Sequence, residues 1–278
     1  MNMTPTVHAT ANFMHWHRYY IWAYETALRT ECDYKAYQPY WNWGKYQDLP
    51  ASPIFNGDEW SMGGNGEAVP HKGGFANLPP GPGGGCVKTG PFANTTIHLG
   101  PLMSTMDPAL NIKANPQRDG YGDNPRCLRR DVNNYYVSQY IRGPDLASHI
   151  TSNTAILKFQ DSVQNDAVNK PAIHSGGHFS IWGDPGGDVF VSPGEPVFWL
   201  HHGQLDRHWW MWANYRDADV KARTSMYEGG TNWMNPNSAR GKPTDAQWLD
   251  VVAPAGTNGI ASNKLFSTTS GPFCYVYQ

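Results

Sequence analysis

The chain holds 11 histidines, and seven of them fall into two short segments far apart in the sequence. The first runs from His8 through Phe13 to Tyr20 and contains His8, His15 and His17; the second runs from His174 to Arg207 and contains His174, His178, His201 and His202. Both are crowded with aromatic residues. Neutral imidazoles grouped without a nearby thiolate suit Zn, Cu, Fe or Ni and fit Mg or Ca poorly.

Spacing limits which of these side chains can share an ion. His174 and His178 are four apart and would project from one helix face. Gly176 and Gly177 between them argue against that helix, since each glycine costs about 1 kcal/mol relative to Ala in a helix interior. Nine residues of helix would place His8 and His17 about 13 Å apart on opposite faces. Either His8 lies on a segment that folds back before the helix, or His8 is an exposed residue near the chain end and His17 a core one. His15 and His201 point about 100° or more away from the favoured positions, so they are expected, with His208, to support or pack rather than ligate. His71, His98 and His149 fall outside both clusters and are expected to be solvated or structural. The residues alone leave open a dinuclear or a mononuclear histidine site in an aromatic-rich helical bundle.

Several elements must position these groups. Phe13, His17, Tyr20, Ile21, Tyr24 and Leu28 recur at three- and four-residue spacing and predict an amphipathic helix from Phe13 to about Glu31. Phe198, His202, Leu205, Trp209 and Trp212 predict a second, with Pro196 suited to its first turn. Asp145 to Asp166 reads as moderately helical, and Tyr275-Val-Tyr277 as a short strand. Tyr37 to about Asn134 is rich in Gly and Pro without sustained periodicity and predicts long ordered loops. Cys86 and Cys127 are the expected disulfide across them, leaving Cys32 and Cys274. Gly183 to Asp188 and Ser192 to Pro196 mark a turn-rich loop between the histidine pairs. Neither an internal repeat nor a dividing linker is visible.

The formal charge of -2 has its signs interleaved, which argues against a nucleic-acid or membrane surface and for small neutral partners. Charged residues are 16% and aromatics 13%, with 12 Trp and 15 Tyr, as suits an interior and a pocket lined by rings. No apolar run approaches the roughly 18 residues of a membrane span. The cysteines form no C-x-x-C pair. Together with the glycosylation patterns at Asn2-Met3-Thr4 and Asn94-Thr95-Thr96, they favour a secreted protein, although the sequence shows no signal peptide.

His8-x(4)-Phe13-x-x-Trp16-His17-Arg18, Pro39-Tyr40-Trp41-Asn42-Trp43, His174-x(3)-His178 and Pro196-Val-Phe198-Trp-Leu-His201-His202-x(3)-Asp206-Arg207 together resemble the type-3 copper proteins. Within that group of tyrosinases, catechol oxidases and haemocyanins, the chain is most similar to the short fungal tyrosinases and catechol oxidases. The resemblance implies a mainly α fold, an antiparallel helical bundle holding a dinuclear copper site, with long ordered loops and few short strands. It implies one tyrosinase-like copper domain over residues 1–278, lacking an N-terminal segment. His8 and His17 then correspond to ligands of the first of two copper ions, and His174, His178 and His202 to those of the second. Phe13, Ser175, Val189, Phe198, His201 and Asp206 correspond to supporting or pocket-lining residues, with Val189 as a candidate gate and Arg18 in a structural role.

Three departures from the family pattern bear on function. The histidine expected upstream of His8 would fall before residue 1. No cysteine stands near His8 for the thioether found in some relatives. Ser175 replaces the Asn, and the stretch Ser162 to Lys170 lacks the Glu, that accompany efficient monophenol hydroxylation. The expected activity is therefore oxidation of o-diphenols to o-quinones with O2, with weaker monophenol hydroxylation. A haemocyanin-like oxygen carrier and a mononuclear three-histidine zinc protein are the alternatives.

Overall fold

The computed structural model describes residues 2–73, 79–164, 171–216 and 219–278. The helices are α1 Thr4–Val7, α2 Phe13–Glu31, α3 Asn134–Tyr140, α4 Gly143–Ser152, α5 Ile156–Gln164, α6 Ile173–Ser180, α7 Val197–Asn214 and α8 Val220–Arg223. The strands are two to four residues long: β1 Gly66–Ala68, β2 Gly84–Val87, β3 Thr96–Ile97, β4 Arg126–Cys127, β5 Arg129–Arg130, β6 Gly183–Asp184, β7 Ala246–Gln247 and β8 Ile260–Ala261. Helix (35%) far outweighs strand (8%), as expected for a helical bundle. Among the described residues no helix is long and apolar enough to cross a membrane.

Two compact units can be distinguished. One comprises Trp41–Leu146 and the described part of Asp166–His201; the other comprises Asn2–Tyr40, the described part of Ala147–Asn165 and that of His202–Gln278.

In the first unit the Gly- and Pro-rich segment is ordered without long helices. Strands β1, β2, β5 and β6 form an antiparallel sheet in that order. The Cys86–Cys127 disulfide ties β2 to β4 across 41 residues of sequence. Buried Arg130 holds Glu195 at 2.6 Å and donates to the carbonyls of Met62 and Gly63, so one guanidinium ties two separate loop segments to β5. Arg126 pairs with Asp184 at 2.6 Å in the same way. These bonds satisfy the loop backbone that lacks regular partners.

Helix α6 forms despite its two glycines, contrary to the expectation from propensity, and close packing explains them. A Cβ on Gly177 would lie 2.1 Å from His201 Cε1, and one on Gly176 would lie 3.0 Å from Tyr140 Cβ. The glycines let α6 approach both α3 and the start of α7, an instance of tertiary context overriding propensity.

In the second unit, α2 spans the predicted residues. Phe13 to Tyr19, with Ile21 and Ala23, are buried, and the C-terminal half emerges into solvent. Val7, Trp16, Tyr19 and Ala23 pack with Leu249, Leu265 and Phe273, so the C-terminal segment covers α1 and α2. The moderately helical stretch from Asp145 to Asp166 holds two helices, α4 and α5. Asn153 donates to the carbonyl of His149 at 2.8 Å where α4 ends; Asp166 itself lies outside the described residues. Tyr275-Val-Tyr277 is not a strand: the Tyr275 amide donates to the carbonyl of Thr268 at 2.9 Å without forming a ladder, and the hydroxyls of Tyr275 and Tyr277 bond to Asp206 on a helix. Cys32 and Cys274 are exposed and form no disulfide.

Candidate metal centre

His8 sits where the chain reverses. Helix α1 ends at Val7, His8 is extended (φ -120, ψ 145), and Ala9 takes a positive φ of 47° before α2 begins. The fold-back brings the His8 and His17 rings to 5.1 Å between centroids, a meeting one straight helix could not give. Phe13 packs against both rings, 6.1 Å from His8 and 4.9 Å from His17. His17 in turn stacks on His202 at 4.6 Å with a tilt of 13°.

Hydrogen bonds fix the tautomers of the first pair. His8 Nδ1 lies 3.0 Å from the carbonyl of Thr4, and His17 Nδ1 lies 2.7 Å from that of Phe13. A carbonyl accepts only, so each Nδ1 carries the proton and each Nε2 carries the lone pair. Burial lowers the His8 pKa to about 4, which keeps the ring neutral and ligand-competent near neutrality.

Helix α6 presents His174 and His178 with their Nε2 atoms 3.0 Å apart. His174, His178, His201 and His202 each offer one nitrogen, and those nitrogens lie within 4.8 Å of one another, a spacing that could hold a metal ion. Geometry thus admits both members of the His-His pair. The hydrogen bonding of His201 separates them. Buried Trp43 donates its indole N–H to His201 Nδ1 at 3.1 Å. Nδ1 therefore carries the lone pair, and the neutral ring has its proton on Nε2, where a metal would need a lone pair. His202 lies 100° further round α7. The donor set fits copper: it is all imidazole, with His17, His174 and His202 buried and His8 and His178 half-buried.

Supporting residues surround these rings. Asp206, one turn beyond His202, accepts from Arg18 Nε at 2.6 Å through one oxygen and from the hydroxyls of Tyr275 and Tyr277, both at 2.6 Å, through the other. Arg18 also donates to the carbonyls of Leu265 and Phe266 and lies 3.7 Å from the Trp209 ring centroid. The residue after His17 is thereby locked to the turn after His202. Phe198 lies 5.9 Å from His178 between ring centroids. Ser175 donates to the carbonyl of Ala172 within its own helix, at 3.3 Å. Val189 is half-buried on the loop after α6, where Asp188 accepts from the amides of Leu102 and Met103.

The other histidines have different surroundings. His15 packs among Trp209, Tyr227 and Phe266, and His149 and His208 form a buried pair at 2.9 Å. His71 pairs with Asp131, and exposed His98 with Asp123. The partners of Trp43, Tyr275, Tyr277 and Gly177 were not readable from the sequence. Trp43 stood in the Pro39-to-Trp43 motif, and Tyr275-x-Tyr277 carried a signal because alternate residues of an extended segment share a side.

The profile described as the common central domain of tyrosinase matches residues 1–215. The chain belongs to the tyrosinase family. Members of this family are oxidoreductases that use a dinuclear copper centre and act on phenolic substrates with O2. The tyrosinase-like protein orsC of Emericella nidulans is 36% identical over 84% of this tyrosinase-family chain, which spans only 64% of that relative's length. Tyrosinase P of Aspergillus terreus is 34% identical over the whole chain and 78% of its own length. A variant of the polyphenol oxidase of Thermothelomyces thermophila superposes with a TM-score of 0.90 at 38% identity, covering 100% of this chain and 75% of that one.

Proposed function

We propose that this chain, acting as a single copper domain, is a secreted oxidase that converts o-diphenols to o-quinones with O2, with monophenol hydroxylation as a weaker activity. His8 and His17 would hold the first copper, and His174, His178 and His202 the second. The observation that carries this reading is the hydrogen bonding of the rings: carbonyls against Nδ1 of His8 and His17 place the lone pair of each ring on Nε2, as a metal ligand requires, whereas the Trp43 indole N–H on Nδ1 of His201 favours the opposite tautomer.

Bound copper supplies the redox chemistry and the site for O2. The protein orients its imidazoles through neighbours, as metal-bound histidines generally require. Phe13 and Phe198 line the rings with apolar surface and limit water beside them. Val189 gates access from the loop above α6. Ser175 stands where an Asn accompanies efficient monophenol hydroxylation in relatives, and its hydroxyl donates to the carbonyl of Ala172, which supports the preference for diphenols. The Cys86–Cys127 disulfide supports an oxidising, extracellular setting.

Copper per chain, measured together with turnover of catechol and of phenol, tests the proposal. Copper uptake with catechol oxidation well above phenol hydroxylation is expected. A copper-loaded protein that oxidises neither would refute it.

A further inference from the structure

We propose that Trp233 determines substrate specificity: its indole forms the outer wall of the His8 and His17 site and stacks on the substrate, favouring phenols with a flat second ring over single-ring ones. This rests on the assignment of His8 and His17 to a copper ion.

Trp233 lies 6.0 Å from the His8 ring between centroids, tilted by 42°. Phe13, fully buried, supplies the inner contact to the same ring. The indole differs from Phe13 in keeping 38% of its surface exposed, so it offers solvent an aromatic face next to a candidate ligand.

The loop carrying Trp233 is held rigidly against the His8 turn. The Trp233 amide donates to the carbonyl of Pro5 at 2.9 Å, and Ala11 donates to the carbonyl of Gly230 at 2.9 Å. Gly229 has a φ of 137°, and a Cβ there would meet the Ala11 nitrogen at 2.7 Å. Ser238 Oγ accepts from the amides of Thr231 and Asn232, closing the loop on itself. The backbone thus fixes the position of Trp233 without using its side chain, and removal of the indole leaves these bonds intact. A rigid, part-exposed indole beside a metal site is suited to stacking, because its few torsions lose little entropy when a flat ring settles on it.

Benzoate and naphthalene-2-carboxylate, non-oxidisable stand-ins for one- and two-ring phenolates, provide the test. Their affinities are measured by calorimetry on the copper-loaded native chain, Trp233→Phe and Trp233→Ala, with copper per chain determined for each. The native chain should bind the two-ring probe more tightly. Trp233→Ala should lower that preference roughly 2- to 10-fold, the usual range for one aromatic contact, while Trp233→Phe keeps most of it and copper content stays unchanged. An unchanged preference in Trp233→Ala at full copper content would overturn the role of Trp233 alone. If His8→Ala and the native chain carried equal copper, the underlying site assignment would fail and the proposal with it.

Discussion

At the scale of single residues, the decisive feature is which nitrogen of each histidine carries its proton. Helical phase in the sequence favours His202 over His201 as a ligand, a choice that the clustering of all four imidazoles does not itself make. The reason His201 is set apart was not legible there, because Trp43 is 158 residues away from it in the chain. Trp43→Phe removes the only kind of donor that side chain has and leaves His201 Nδ1 buried without it. Such a loss typically costs about 1–3 kcal/mol. Denaturant unfolding should therefore show Trp43→Phe destabilised by that order, with copper content near native. An unchanged stability would mean that the indole bond contributes nothing to holding His201.

At the scale of elements, the site depends on close helix approach. The periodicity of α2 and α7 was readable because each buries a continuous aromatic stripe. The α6 helix was not, since glycines look like helix breakers until their neighbours are known. Gly177→Ala would set a methyl 2.1 Å from His201 Cε1. Either α6 or α7 must shift, at a cost of about 1–3 kcal/mol or more for such overpacking. Thermal unfolding and copper binding of Gly177→Ala should both be impaired, and more so than for Gly176→Ala, whose methyl meets Tyr140 at 3.0 Å. Equal behaviour of the two variants would contradict this packing. A second fastening joins α2 to α7. Asp206→Ala would leave Arg18 buried without its partner and two tyrosine hydroxyls without their acceptor, a loss of about 3–5 kcal/mol for a broken buried pair. A denaturant midpoint for Asp206→Ala close to that of the native chain would show that the fastening is dispensable.

At the scale of the whole molecule, the composition indicated an aromatic interior and few surface charges, while the ordering of the long loops came from Arg126, Arg130 and the disulfide, whose partners are distant in sequence. Stability should also depend on pH through the buried His149–His208 pair. Burial, chiefly, lowers His149 to about 4 from 6.5, and burial together with the proximity of His149 and Arg207 lowers His208 to about 3. Below pH 6.5 the unfolded chain binds protons that the folded chain refuses. The pair's contribution is therefore full above pH 6.5 and declines as pH falls toward 4, by up to about 1.4 kcal/mol per unit for each histidine. The thermal midpoint should drop between pH 7 and pH 5, and the double replacement His149→Gln, His208→Gln should flatten that slope; parallel slopes would contradict it. The central claim is that two histidine sets hold copper, with His202 rather than His201 completing the second. Copper per folded chain in His202→Ala and His201→Ala tests it most directly. His202→Ala should lose the second copper and catechol oxidation, while His201→Ala keeps most of its copper; equal loss in both, or loss in His201→Ala alone, would contradict it.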